Sequence, residues 1–427
     1  MSSKIKFQTP SGMHDILEED FVYFDKILDA VKEIANFYHF QRIETPILEN
    51  AEIFIRGIGL NTDVVEKEMF VFKTKGGDVL TLRPEGTAPI ARAFIQHSMQ
   101  NLPQPVKLWY FGPFFRYERP QLGRHRQFWQ FGFETVGEKD PILDAQIIQI
   151  FYSILQELKI SPVVVKINSI GDRFCRPYYK KVLKSYLISK KESLCADCRR
   201  RIVQNPLRVL DCKEEKCQRI VAEAPNILDY LCEECKKHFK EVLEALEELK
   251  LPYQLDSKLV RGLDYYTKTV FEIVEESEKG KALGALVGGG RYDGLIKSLG
   301  GKETPAVGGA GGVERIVALL KDKFPHLAKK GKKPILFFAQ LGPLAKKKAL
   351  VLLETFRKEK IPVFESLGKD SLKAQLRLAS KVNAKYALIL GQKEVIEGNI
   401  ILRDMMTGTQ EIIPLEKLIK VIKNKIK

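Results

Sequence analysis

The sequence predicts an α+β chain: a domain built on an antiparallel sheet with a helical insertion, followed by a smaller α/β domain. Three observations carry this. From Arg42 to about Glu134, short apolar runs are broken by Pro and Gly, the rhythm of an antiparallel sheet with tight connections. Between Arg173 and Leu251 the chain turns charged, helical in period and cysteine-rich, and reads as an insertion (residues 173–251). From Pro334 onward apolar strands alternate with amphipathic helices, the pattern of an α/β layer.

In chain order, Phe21, Phe24, Leu28, Val31 and Ala35 recur at three- and four-residue intervals and predict a docking helix. Phe70 to Lys73, Val79 to Leu82, Lys107 to Phe115 and Phe128 to Glu134 read as strands, with a helix from Pro89 to Met99. An amphipathic helix runs from after Asp140 to about Leu158, and a strand from Val163 to Ile167 follows. After the insertion, Val270 to Val274 resumes the sheet. A glycine-rich passage from Gly284 to Gly312 leads into a helix from Val313 to Leu320. The first domain thus covers residues 1–325, a charged linker residues 326–333 and the second domain residues 334–427. In that domain Ile335 to Leu341, Val363 to Phe364 and Tyr386 to Leu390 are strands, separated by helices from Leu344 to Lys360 and from Leu372 to Val382. Glu394 to Glu397 and Asn399 to Arg403 are further strand candidates before a closing helix, Leu415 to Ile426.

A chain of 427 residues can bury two or three cores, and 44% hydrophobic with 29% charged residues is ordinary for a globular protein. No apolar stretch precedes Glu18, Glu19 and Asp20, and no window approaches the length of a membrane span, so a cytoplasmic protein without membrane contact is expected. The formal charge of +16 suits a polyanionic partner, although a solvated basic surface has the same composition.

The densest polar cluster, Arg116-Tyr-Glu-Arg-Pro-Gln-Leu-Gly-Arg-His-Arg126, lies between two strands. Pro120 and Gly123 make it a loop whose guanidinium forks can converge on phosphate oxygens. A basic hairpin tip meeting solvent or an RNA backbone has the same pattern. Glu85 and Thr87 follow a strand, and the Glu85 carboxylate suits an ammonium group. Arg261-Gly262-Leu263-Asp264-Tyr265-Tyr266 combines a cation, an acid and two phenols; Glu314-Arg315 closes the glycine-rich passage. No phosphate loop ending in Gly-Lys-Ser/Thr and no dinucleotide fingerprint is present, which leaves an ATP site made of arginines on an antiparallel sheet. The six histidines show no metalloprotease spacing, and no Ser-His-Asp set or nucleophilic cysteine is assigned.

These segments together resemble the bacterial-type histidyl-tRNA synthetases, class II aminoacyl-tRNA synthetases, over nearly the whole chain. Arg42-Ile43-Glu44-Thr45-Pro46, Phe115-Arg116-Tyr117-Glu118-Arg119 and Gly312-Val313-Glu314-Arg315 match the three class motifs. Leu259 to Tyr266 and Gly289-Gly290-Arg291-Tyr292-Asp293-Gly294-Leu295 match the histidine signatures. The resemblance implies a class II catalytic domain, an anticodon-binding C-terminal domain and a homodimer. It implies activation of L-histidine by ATP with Mg²⁺, then transfer to tRNA(His). Arg116 and Arg261 would hold the α-phosphate and carboxylate during catalysis. Arg315 and Arg124 would hold the outer phosphates, bridged by Mg²⁺, while Glu118 would bind adenine and Phe128 stack on it. Glu85, Thr87 and Gln130 would surround the amino and carboxylate end of histidine; Glu134 and Tyr266 would meet the ring nitrogens, with Tyr265 close by. The family also contains a regulatory paralogue of histidine biosynthesis, which typically lacks the C-terminal domain and parts of these signatures. A non-enzymatic RNA-binding protein would explain the charge, yet has no need of Glu85, Glu134 and Tyr266.

Cys195-Ala-Asp-Cys198 and Cys232-Glu-Glu-Cys235 are two Cys-x-x-Cys knuckles, and Cys195, Cys198, Cys232 and Cys235 are the preferred ligands of one structural Zn²⁺ ion. Cys212 and Cys217 lie between them and could replace a ligand or remain free thiols, and free thiols or disulfides throughout are the alternative.

Overall fold

The computed structural model describes residues 7–60, 62–121, 123–276, 284–327 and 335–426. It divides into two compact units between residues 328 and 329. Residues 328–333 of the expected linker lie outside the described residues.

In the first unit α1 (Glu18–Phe37) opens with Glu18, Glu19 and Asp20 in its first turn, where the helix dipole favours negative charge. Its buried stripe contains Tyr23, Phe24, Ile27, Val31 and Ala35. Phe21, expected on the docking face, is 46% exposed, because it lies more than a quarter-turn around the helix from the stripe's centre. There follow β1 (Gln41–Arg42), β2 (Leu48–Asn50), α2 (Ala51–Ile58), β3 (Val71–Lys73), β4 (Val79–Leu82), α3 (Thr87–Gln96), β5 (Val106–Phe115), β6 (Gln127–Val136), α4 (Ile142–Glu157) and β7 (Val163–Ser169). The insertion supplies α5 (Arg176–Ser189), α6 (Ala196–Gln204), α7 (Glu215–Ala222) and α8 (Glu233–Glu248). The chain then returns through β8 (Tyr253–Leu255), β9 (Thr267–Glu275), β10 (Val287–Arg291), α9 (Leu295–Ser298), β11 (Ala306–Gly312) and α10 (Val313–Lys323).

Eight strands form one sheet in the order β1-β5-β6-β11-β10-β9-β7-β8. Its six central strands pair antiparallel, as expected, while β1 and β8 join the edges parallel to β5 and β7. The glycine-rich passage supplies two of the central strands, β10 and β11, which its composition alone does not predict. Strands β2, β4 and β3 make a separate small sheet. One face of the large sheet packs on α4: the Phe131 and Phe133 rings lie 5.8 and 5.6 Å from that of Phe151.

The second unit contains β12 (Leu336–Gln340), α11 (Pro343–Lys358), β13 (Val363–Glu365), α12 (Leu372–Lys381), β14 (Tyr386–Leu390), α13 (Gln392–Glu397), β15 (Asn399–Asp404), β16 (Gln410–Pro414) and α14 (Leu418–Ile426). The sheet order is β13-β12-β14-β15-β16, parallel through β14 and antiparallel beyond. Leu336 and Phe338 face one core and Phe337 and Ala339 another, so a buried two-sided strand reads as a continuous apolar run. Two expectations are corrected here. Glu394 to Glu397 is helical, part of α13, because the Glu394 carboxylate accepts from the Gly391 backbone N–H at 2.9 Å and caps the helix. The strand missing from the sequence reading is β16, an edge strand with mostly exposed side chains.

Candidate active site

Strand β6 sets out the site. Side chains alternate along a strand, so Phe128, Gln130 and Glu134 share the face opposite the α4 layer, spread over roughly 20 Å. Their cross-strand partners are Phe114, Gly112 and Leu108 on β5. On β11, Gly312 stands beside Gln130 and Gly308 beside Glu134. A Cβ on Gly308 would come within 1.7 Å of the Glu134 carboxylate, so glycine there makes room for the acid.

At the Glu134 end polar groups converge in a buried pocket. Glu134 Oε1 accepts from the Thr87 hydroxyl at 2.8 Å and Oε2 from the Tyr292 hydroxyl at 2.6 Å. Burial pushes the Glu134 carboxyl up to about 8, against the opposing effect of those two donors. Glu85 accepts from the backbone N–H groups of Thr87 (2.7 Å) and Ala88 (2.9 Å) and from the Tyr265 hydroxyl (3.3 Å). It thereby holds the start of α3 as well as the pocket wall, and burial raises its pKa. The Tyr265 and Tyr266 ring centroids are 4.7 Å apart, and Tyr265 lies 5.8 Å from Tyr292. Tyr292 and Tyr110 are the pocket residues that sequence reasoning missed. Burial and then the Glu134 charge raise the phenol pKa of both. Their signal was a tyrosine in otherwise apolar or glycine-rich strand surroundings.

At the Phe128 end stand the arginines. The Arg116 Nε donates to Pro84 O at 2.9 Å, and its guanidinium lies 5.5 Å from the Phe128 ring centre. Glu118 sits between Arg124, at 3.0 Å, and Arg116, at 3.9 Å. Arg315, at the start of α10, donates to the Gly123 and Ala285 carbonyls. Burial and then the charge of Arg124 lower its pKa, against the opposing charges of Glu118 and Glu272. The four arginines of the loop do not all converge. Arg126 stacks 3.7 Å over Tyr117, and its backbone N–H donates to Gly12 O at 2.7 Å, which turns it to the N-terminal segment. Between the two ends Arg261 forms an ion pair with Glu272, and its Nε is buried with no protein partner. A Cβ on Gly288 would overlap the Arg261 guanidinium at 2.3 Å, a second place where glycine is required by close approach.

The structure does not bring Cys195, Cys198, Cys232 and Cys235 together as one ligand set. Cys195 and Cys198 gather with Cys212 and Cys217, whereas Cys232 and Cys235 gather with Asp172 and Cys175. The physical reason is that the two knuckles open different helices, α6 and α8, whose starts face different neighbours.

An antiparallel sheet with clustered arginines at one end of its open face and a phenol- and carboxylate-lined pocket at the other is the architecture of a class II aminoacyl-tRNA synthetase catalytic unit. Residues 12–316 match the family model described as "Histidyl-tRNA synthetase", and residues 339–425 match that described as "Anticodon binding domain". The chain belongs to the histidyl-tRNA synthetase family, a family of ATP-dependent aminoacyl-tRNA ligases. Among curated relatives, the histidine–tRNA ligase of Dehalococcoides mccartyi is 45% identical over 98% of this chain and 100% of its own length. That of Aquifex aeolicus is 46% identical over 97% and 100%. The crystal structure of apo Staphylococcus aureus histidyl-tRNA synthetase is 33% identical, covers 97% of this chain and 99% of its own, and superposes with a TM-score of 0.77.

Proposed function

We propose that the chain catalyses histidine–tRNA ligation in two steps. The L-histidine carboxylate oxygen attacks the α-phosphorus of ATP, supplied as its Mg²⁺ complex, and pyrophosphate leaves. A ribose hydroxyl of the 3′-terminal adenosine of tRNA(His) then attacks the acyl carbon, and AMP leaves. The observation that carries this reading is the shared face of β6, which aligns Phe128, Gln130 and Glu134 between a cationic end and a buried acidic pocket.

In this reading Arg116 and Arg261 bracket the α-phosphate and the carboxylate. The unpartnered Arg261 Nε is a donor for charge that grows in the transition state. Arg315 and Arg124 take the outer phosphates, Glu118 the adenine edge and Phe128 its face. Glu85, Thr87 and Gln130 hold the amino-acid backbone, while Glu134, Tyr266, Tyr265 and Tyr292 read the imidazole. A site that hydrogen-bonds the ring rejects apolar isosteres, because these leave buried polar groups unpaired.

The second unit is assigned to the anticodon arm of tRNA(His), supported by its family match. The enzyme is assigned to the cytoplasm; no described helix is long and apolar enough to cross a membrane. A homodimer is part of the proposal, supported by the exposed Ile47, Leu48, Val71 and Phe72 beside the first class motif and on the small sheet. Zinc belongs to it as a structural ion of the insertion, with no part in either step. Pyrophosphate exchange with each of the twenty amino acids tests the central claim: exchange should depend on L-histidine, and its absence from folded protein, or dependence on another amino acid, would reject it.

A further inference from the structure

We propose that the insertion holds two separate zinc ions, one on Cys195, Cys198, Cys212 and Cys217 and one on Asp172, Cys175, Cys232 and Cys235. This rests on the reading that the insertion binds zinc at all and replaces the single cross-knuckle site expected from sequence. In each group the ligand atoms all lie within 4.8 Å of one another. Four thiolates around zinc at about 2.3 Å stand roughly 3.8 Å apart at tetrahedral angles. Cys195 and Cys212 Sγ are 3.9 Å apart, and Cys175 and Cys235 Sγ 3.8 Å. All seven cysteines of the chain belong to the two groups, and none is in a disulfide.

The surroundings point to thiolate as well. Backbone N–H groups are aimed at sulfur: Cys198 N at Cys195 Sγ (3.4 Å), Cys195 N at Cys217 Sγ (3.3 Å) and Asp172 N at Cys175 Sγ (3.4 Å). Such donors orient and stabilise metal-bound sulfur. Every helix of the insertion starts at one of the groups. Cys195 caps α6 and Cys217 lies in the first turn of α7; Cys175 and Cys232 stand at the N-cap positions of α5 and α8. Two positive helix ends therefore meet at each site, where they favour the net negative charge of a zinc–thiolate centre. Arg176 and Lys268 add positive charge beside the second group.

Both sites border the segment that carries Arg261 to Tyr266. Arg176, next to Cys175, donates from Nη2 to Tyr266 O at 2.7 Å. Asn205, between Cys198 and Cys212, donates to Asp264 Oδ1 at 2.8 Å. The ions fix the insertion near two of its contacts with that segment and touch no reacting atom.

The test is the zinc content of full-length protein purified without chelator or metal-binding tag, followed by Co²⁺ titration of protein stripped by chelator. Two zinc ions per chain are expected, with two Co²⁺ equivalents taken up as tetrahedral thiolate centres. Cys198→Ser should remove one ion and Cys235→Ser the other. X-ray absorption at the zinc edge needs no variant and should give an average of about 3.5 sulfur and 0.5 oxygen ligands per ion. One ion per chain, lost in both variants, would overturn the two-site assignment and leave the broader zinc reading standing. Metal-free protein that takes up no Co²⁺ would overturn both.

Discussion

The Tyr292 hydroxyl donates to Glu134 Oε2 across 2.6 Å, from β10's end to β6, and joins the second histidine signature to the pocket floor. The acid thereby has one lone-pair site on each oxygen already occupied, by Thr87 and by Tyr292, and in the proposed reading its remaining positions are left for a ring nitrogen. Removal of the phenol in Tyr292→Phe takes away a donor and leaves a buried acceptor short of one partner. The expected result is a roughly tenfold higher KM for histidine in pyrophosphate exchange, about 1.4 kcal/mol, with the KM for ATP little changed. An equal rise in both constants would place Tyr292 elsewhere.

The same carboxyl gives the fold a pH dependence. An acid whose folded pKa exceeds its unfolded value holds an extra proton between the two. Its contribution to stability is therefore complete below the unfolded value and lost as pH rises through the folded one. For Glu134 the window runs from the ordinary carboxylate range to about 8. Relative to Glu134→Gln, the ligand-free protein should lose stability across that window at no more than about 1.4 kcal/mol per pH unit. Parallel urea-unfolding curves for the two proteins at pH 5 to 8 would show that Glu134 carries no such proton.

What the sequence revealed and what it hid divide along physical lines. Periodicity marked α1, where burial repeats with the helical period, whereas the long strands β5 and β6 read as apolar runs because they are buried or half-buried throughout. The glycine strands β10 and β11 carry little side-chain alternation to read, since the side chains that fill their space come from other elements, among them Glu134, Arg261, Phe131 and Phe271. Glu394 to Glu397 read as a strand, but the deciding interaction is the Glu394 cap. Tyr292 stayed unassigned because its partner lies 158 residues away. The cysteines were grouped by adjacency in the chain, whereas the fold groups them by which helix starts meet.

Arg261→Ala should slow adenylate formation by about 10²- to 10³-fold, the range seen on losing a donor to transition-state charge. Glu272 is 25% exposed and can hydrate once its partner is gone, so folding should be little affected. Arg261→Lys should not restore the rate, because a single ammonium cannot serve Glu272 and a phosphate oxygen in the planar geometry of the guanidinium. Rapid-quench measurement of histidyl-adenylate decides this; a normal rate with slow transfer alone would remove Arg261 from activation.

Ending the chain before residue 335 should leave histidine-dependent exchange within a fewfold of the full-length value and sharply reduce aminoacylation of tRNA(His). The reason is that the second unit has its own sheet and its own buried clusters, while every residue assigned to ATP and histidine lies in the first. Filter binding of tRNA gives the independent reading, and unchanged affinity in the shortened chain would reject the anticodon assignment.

Arg291 is the most demanding side chain in the interior. It is fully buried, and it donates to Asp144 Oδ2 from Nε at 3.0 Å and from Nη2 at 2.5 Å, as well as to the carbonyls of Glu138 (3.3 Å) and Asp140 (3.1 Å). Burial alone would raise the Asp144 pKa, but Arg291 and His238 together outweigh it and hold the acid below the usual carboxylate range. Arg291→Met should leave that carboxylate buried with only His238, 3.3 Å away, and cost about 3–5 kcal/mol in urea unfolding. Arg291→Met with Asp144→Asn removes the stranded charge, so the double variant should be more stable than the single one by a measurable coupling energy, on the order of 1–3 kcal/mol. Because Tyr292 follows Arg291 directly, the single variant should also raise the KM for histidine while leaving that for ATP near its normal value. A single variant within about 1 kcal/mol of the native chain, or a double variant no better than the single, would show that the pair does not anchor β10 to α4.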